Sequence, residues 1–139
     1  MSIKDVRNAI FTKLLGHNIL KTTNTAIANA PFTPSSDVWY RISFLTGEPL
    51  TIGIGTEAKE RFVGIVQVDV YTKTGIGDVT PITKAAEVAN LISRGTMLTS
   101  NGQDVLITKV WIDNADVEDG WFVTPVNFRW QAEINSGGY

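Results

Sequence analysis

From Trp121 to Ile134 the chain alternates without a slip. Phe122, Thr124, Val126, Phe128, Trp130, Ala132 and Ile134 take one side, while Asn127, Arg129, Gln131 and Glu133 take the other. A period of two is the mark of a β-strand with one buried face. At a rise of about 3.3 Å per residue the run extends to about 45 Å, more than twice the commonest strand length. A chain of 139 residues can hardly cover all of it. Part of this strand is therefore expected to project or to pair with another subunit.

The same length suits one domain with a core large enough to fold without metal or disulfide staples. With 43% hydrophobic and 19% charged residues and four tryptophans, the composition is that of a globular chain. There is no cysteine and only one histidine, which removes disulfide frameworks, thiolate nucleophiles, Cys-ligated zinc and most acid-base constellations. The net charge is -2, and Lys and Arg are scattered singly, so tight nucleic-acid binding is not expected. A ring of several copies can still surround DNA without gripping it. No apolar run approaches the length of about 20 residues that spans a bilayer. The first helix, with Asp5 close to its start, lacks the basic-then-apolar order of a signal peptide.

Ile3, Val6, Ala9, Ile10 and Leu14 recur at helical intervals. Ser2 with Asp5 three residues on reads as a capping box, and Gly16 closes a helix over 2–15. Residues 17–36 hold no sustained period and two prolines, Pro31 and Pro34, which predicts an extended surface connection. Val38 to Leu45 is a strand with Val38, Tyr40, Ile42 and Phe44 on one face and Trp39, Arg41 and Ser43 on the other. In Gly47 to Lys59, Leu50, Ile52 and Ile54 alternate with Thr51, Gly53 and Gly55, giving a short strand or an arm with an apolar edge.

Arg61 to Lys73 is a second long strand, with Phe62, Gly64, Val66, Val68 and Val70 on one face and Val63, Ile65, Gln67, Asp69 and Tyr71 on the other. Its mixed second face predicts a central strand covered in part on both sides. Thr80-Pro81 opens a second helix, whose stripe is Ile82, Ala85, Ala86, Ala89 and Ile92 and whose end is Arg94 and Gly95. Met97 to Thr99, the Asn101-Gly102 pair and Val105 to Ile112 form a type I′ hairpin. An acidic loop from Asp113 to Gly120 leads into the final strand, and residues 136–139 read as a loose tail. The fold class is α+β: a single antiparallel-rich mixed sheet, two main helices packed on it, and a long C-terminal strand.

Chemical motifs are weak. The carboxylates Asp113, Asp116, Glu118 and Asp119 do not follow the calcium order of an EF-hand and sit between strands, so a solvated hairpin loop explains them better. Gly53 and Gly55 make only a G-x-G, and Gly75 and Gly77 lie in a strand-to-helix turn with no Lys-Ser or Lys-Thr pair after them. His17 follows the first helix, where the dipole explains it. Trp39, Trp111, Trp121 and Trp130 all lie on strands, where core and interface packing accounts for them. Asp69 and Glu133 would serve as acid and base only if the sheet order joined them, and a cross-strand salt bridge is the simpler expectation. No cofactor and no metal is implied.

Some stretches carry a family likeness. Ser2-Ile3-Lys4-Asp5-Val6-Arg7, Pro31-Phe32-Thr33-Pro34 before an aromatic strand, Gly64-Ile65-Val66-Gln67-Val68-Asp69-Val70-Tyr71, Arg94-Gly95-Thr96 before Leu98-Thr99, and Trp121 to Val126 together resemble tail terminator proteins of long-tailed bacteriophages. The resemblance covers nearly the whole chain and consists of fold residues rather than chemical signatures.

It implies an α+β domain that assembles in the host cytoplasm as a homo-hexameric ring on the head-proximal end of a completed tail tube. The ring would stop polymerisation, meet the head-tail connector proteins and let DNA pass without sequence-specific contact. Ring closure demands two different surfaces per copy. The candidates are Glu48, Leu50, Ile52, Ile54, Glu57, Lys59, Glu60 and Arg61 on the arm, with Trp121, Val123, Arg129 and Gln131 on the long strand. Another neck or head-closure subunit, or a small-molecule-binding domain, would have a similar composition.

Overall fold

The computed structural model describes residues 2–34, 36–52, 55, 59–135 and 139. Helix α1 spans Ile3–Leu15 and helix α2 Val79–Ala89. The strands are β1 Thr25–Ile27, β2 Val38–Thr46, β3 Leu50–Thr51, β4 Lys59–Lys73, β5 Met97–Ser100, β6 Gln103–Ile112, β7 Asp116–Glu118 and β8 Trp121–Asn135. They form an 8-stranded sheet in the order β1-β2-β4-β8-β6-β5, with β3 on the flank of β4 and β7 on that of β8. Only β1 runs parallel to its neighbour. This is the α+β class that the periodicity predicts.

The long strand does not project. Antiparallel pairing of β8 with β4 is continuous from Lys59↔Asn135 to Lys73↔Trp121, because β4 begins at Lys59, ahead of the expected Arg61, and matches β8 residue for residue at 15 each. On its other edge β8 is flanked in tandem by β7 and β6, and β2 and β3 line β4 in the same way. The excess length thus finds its partner inside the chain.

The even-numbered positions of β2, β4 and β8 build the core. Tyr40, Ile42, Phe62, Val66, Val68, Val70, Val126, Phe128, Trp130, Ala132 and Ile134 are all buried there. A register shift between Ile107 and Lys109 lets β6 contribute Val105 and Ile107 before Thr108, and the partly buried Val110 after it. Helix α1 closes this face with Val6, Ile10 and Leu14, and α2 with Ala85 and Val88, followed by Ile92 just past its end.

Trp130, fully buried, stacks on Phe44 with centroids 5.3 Å apart. Its ring occupies the space that a side chain at Gly64 would need: a Cβ there would lie 2.6 Å from Trp130 Cζ2 and collide with the Leu45 carbonyl. Gly64 and Trp130 are register partners, so the glycine makes room for the indole.

Several local expectations are corrected. Asp78, ahead of Thr80-Pro81, holds the N-cap position of α2 without a side-chain cap bond, and Pro81 is buried while Ile82 is 55% exposed. Of the expected stripe Ala85 and Ile92 are buried, joined by Pro81 and Val88 in place of Ile82. Ser2 precedes α1 but forms no capping box, since its hydroxyl donates to Asp5 Oδ2 at 3.2 Å. The 17–36 connection is not wholly superficial: Leu20 is fully buried and β1 pairs with β2.

Asn101 and Gly102 both take positive φ, as a type I′ turn requires. So do Asp119 and Gly120, and this second hairpin turns the expected acidic loop into β7 paired with β8. Of the expected loose tail, 136–138 lie outside the described residues, and the ring of Tyr139 meets Phe62 edge-on at 5.2 Å.

Opposite the helices, a smaller cluster forms at one end of the sheet. Trp39 stacks on Tyr71 at 3.8 Å, Phe32 on Trp39 at 5.4 Å, and Trp121 meets Trp39 edge-on at 5.8 Å, with Ala26 and Val123 buried beside them. The Tyr71 hydroxyl accepts from Arg41 Nη1 at 3.0 Å and faces Glu118 Oε2 at 3.3 Å. Burial pushes this phenol up to about 12, against the pull of Arg41. Burial also raises the Asp69 carboxyl above the usual aspartate range, although Gln67 Nε2 donates to it at 2.7 Å and Arg41 lies near.

Two predictions follow from these packings. Gly64→Ala destabilises the fold by about 1–3 kcal/mol through overpacking, and Trp130→Leu in the same chain recovers part of that loss; denaturant unfolding of the three variants measures both. Asp69 binds its proton more tightly folded than unfolded, so its ionised form weakens the fold at neutral pH and the penalty fades as pH falls through its raised pKa. Asp69→Asn is expected to raise Tm at pH 7, with the gain vanishing once an ordinary aspartate is protonated.

Candidate assembly surface

Outside the tryptophan cluster, no helix among the described residues covers the second face of the sheet, and the odd-numbered positions of its two central strands look outward there. Register sets them in rows. One row runs Leu45, Ile65, Arg129, Lys109; the next, towards the β3 end, Val63, Gln131, Leu106; the last, Leu50, Arg61, Glu133. Leu45 is 50% exposed, Leu50 62%, Ile52 39% and Val63 40%. Apolar side chains gathered on one open face, interleaved with charge, are what a protein-protein contact uses.

Of the predicted arm, Leu50 and Thr51 pair with Arg61 and Glu60, and the Ile52 N-H bonds the Lys59 carbonyl at 3.3 Å. The arm thus lies back along β4 as a short edge strand that displays Leu50. Ile54 and Glu57 fall outside the described residues. Glu48 and Lys59 are exposed, and Glu60 is half-buried opposite Ile134.

Arg61 is not a free charge: its guanidinium meets Glu133 Oε1 at 3.1 Å across the strands. Gln131 is half-buried between Val63 and Leu106, while Arg129 is exposed. Trp121 and Val123 sit at the far end, within the tryptophan cluster of their own chain. The arm and these two residues therefore mark opposite ends of the sheet, separated by about 40 Å of β4.

Chemistry finds little here. Asp69 faces Pro125 and Glu133 faces Arg61, eight register positions apart and thus about 26 Å along the strands. They make no acid-base pair: Glu133 forms the expected cross-strand salt bridge with Arg61, whereas Asp69 accepts from Gln67 on its own strand. A concavity of about 380 Å³ at the β3 end is bordered by Lys59, Gln103, Gln131 and Glu133. Gln103, buried there, is satisfied by donating to the Asp104 and Glu133 carbonyls. Among the described residues no three His, Asp or Glu side chains converge as a metal would require, and no helix is long and apolar enough to cross a membrane.

Sequence reasoning missed Leu45, Val63 and Lys109, because only the register shows which strands bring them together. It also missed Val79 and Val117, 75% and 60% exposed. The signal for Val117 was present: Asp119-Gly120 marks a hairpin that would carry it.

Comparison with known proteins bears on this surface. Residues 5–130 match the model of the phage tail terminator protein family. A solved protein of no stated function shares the fold with a TM-score of 0.75 at 19% identity, covering 96% of this chain and 97% of that one. A chain from the virion of a native gene transfer agent particle is similar with a TM-score of 0.60 at 16% identity, covering 94% of this chain and 96% of its own. At such identities the likeness speaks for the fold alone. No curated protein matches the chain. With nearly its whole length matched, the chain belongs to the phage tail terminator family, whose members are structural proteins of the virion tail.

Proposed function

We propose that copies of this one domain close into a six-membered ring on the head-proximal end of a finished tail tube. The ring ends tube growth, offers the head-tail connector proteins a docking surface, and surrounds the DNA path without reading sequence. The observation that carries this reading beyond the family is the open sheet face with its apolar β3 edge: Leu45, Leu50, Ile52 and Val63 stand exposed on one side of one end of the molecule. Termination then works by mismatch, since one ring face complements the last tube layer and the opposite face does not. No bond is made or broken.

In this reading Leu50, Ile52 and Ile54 become buried on assembly, contributing roughly 1.5–3 kcal/mol for each fully covered side chain before ordering costs. Glu48, Glu57, Lys59 and Glu60 set register around them, and Arg61 is held in place by Glu133. Gln131 and Arg129 extend the contact across the sheet, while Trp121 and Val123 support the opposite end from within.

Tails assembled without the protein are expected to carry overlong tubes, as seen by electron microscopy. Normal tube length with failed head attachment would assign the protein to another neck position instead. Leu50→Asp with Ile52→Asp is expected to leave folding intact, because both side chains are exposed, and to abolish attachment to tubes. Full attachment by this variant would remove the arm from the contact.

A further inference from the structure

The uncovered sheet face holds a feature that packing within the chain does not explain. Lys109 and Arg129 are register partners on β6 and β8, so two cations stand directly opposite one another across an antiparallel pair. Like charges in that relation destabilise a sheet. Both are exposed, and among the described residues neither has a carboxylate within ion-pair distance. Each leans over the half-buried Trp111 ring, with Lys109 Nζ 5.4 Å and Arg129 Cζ 5.2 Å from its centroid. The indole relieves part of the repulsion through its π face and holds both cations on the surface.

The complement lies on the β7 hairpin of the same chain, whose Asp113 already accepts from Asn127, the register partner of Trp111, while Asp116 and Asp119 stand farther along β8. The β7 hairpin carries Asp113, Asp116, Glu118 and Asp119 with no Lys or Arg among residues 113–120. Asp116 and Asp119 are exposed, and among the described residues neither forms an ion pair. Within one chain Asp116 cannot meet the cations, since its register partner Val123 stands six residues from Arg129 along β8, about 20 Å.

We propose that the acidic β7 hairpin of one copy docks on the Lys109-Arg129-Trp111 patch of the next. The contact joins two unlike surfaces of the same chain, which is the head-to-tail relation that a closed ring needs. It rests on the ring reading above and supplies its polarity. A second copy suits the patch better than nucleic acid does: two cations on a chain of net charge -2 give little phosphate affinity, and the hairpin offers the exposed carboxylates of Asp116 and Asp119.

Charge reversal tests it. Lys109→Glu with Arg129→Glu, and separately Asp116→Lys with Asp119→Lys, are each expected to weaken self-assembly about tenfold or more, read as particle mass in solution and on tubes. The chain carrying all four changes is expected to assemble again, and assembly of the unaltered chain is expected to weaken with salt. Circular dichroism establishes that each variant is folded. If either single reversal leaves assembly intact, or the fourfold variant fails to recover, this contact is wrong while the ring reading stands. Loss with the Lys109/Arg129 reversal alone would assign the patch to a different anion and overturn the proposal. An unaltered chain that forms no multimer either in solution or on tubes would overturn the ring reading itself.

Discussion

Everything in this molecule hangs on the pairing of β4 with β8. Two strands of equal length, joined from end to end, form a spine to which the other strands attach in shorter pieces. What fixes the register is not backbone hydrogen bonding, which would tolerate a slip, but the meeting of Trp130 with Gly64. A slip of one residue would turn every core side chain to the open face. A slip of two would set Trp130 against Phe62 or Val66, where no space exists for an indole. The glycine therefore acts as an address for the largest side chain in the core.

From this spine the two faces diverge. On one, α1 and α2 exclude water over a continuous apolar surface. On the other, only one end is sealed, by the stacked Phe32, Trp39, Tyr71 and Trp121 rings. The sealed end gives the sheet stiffness where the Arg41-Tyr71-Glu118 chain of polar contacts also lies. The remainder stays open, with apolar and charged positions alternating between neighbouring rows. A face that is rigid behind and uncovered in front is suited to recognition, because little order is lost when a partner covers it.

How much of this was legible in the residues differs from element to element. Strict alternation located β2, β4 and β8, and the Asn101-Gly102 pair located the β5-β6 turn, since each is a local signal. β1 has three residues and owes its existence to a parallel partner fifteen positions away, so no local pattern announces it. The start of α2 lies two residues ahead of the Thr80-Pro81 signal, with Asp78 at the cap position, and Pro81 rather than Ile82 takes the buried place at its first turn. For the surface, Leu50 and Ile52 were legible as apolar positions among charges. The Lys109-Arg129 pair was not, because the irregularity between Ile107 and Lys109 resets the register and the sequence carries no mark of it. Val123, an expected contact residue, is instead buried in the cluster of Trp39, Tyr71 and Ala26, which chain order alone does not bring together.

The chain order of the spine has a kinetic meaning. β4 and β8 contact one another across 48 residues at the near end (121 − 73) and 76 at the far end (135 − 59). The strand that occupies the middle of the sheet is made after all its neighbours. While the polypeptide emerges from the ribosome, β2, β4, β5 and β6 exist without the partner that unites them, and the pocket beside Gly64 stays vacant until residue 130 arrives. Folding of this topology is governed by long-range closure, which is slow compared with helix formation. The core is accordingly completed only once β8 has been made.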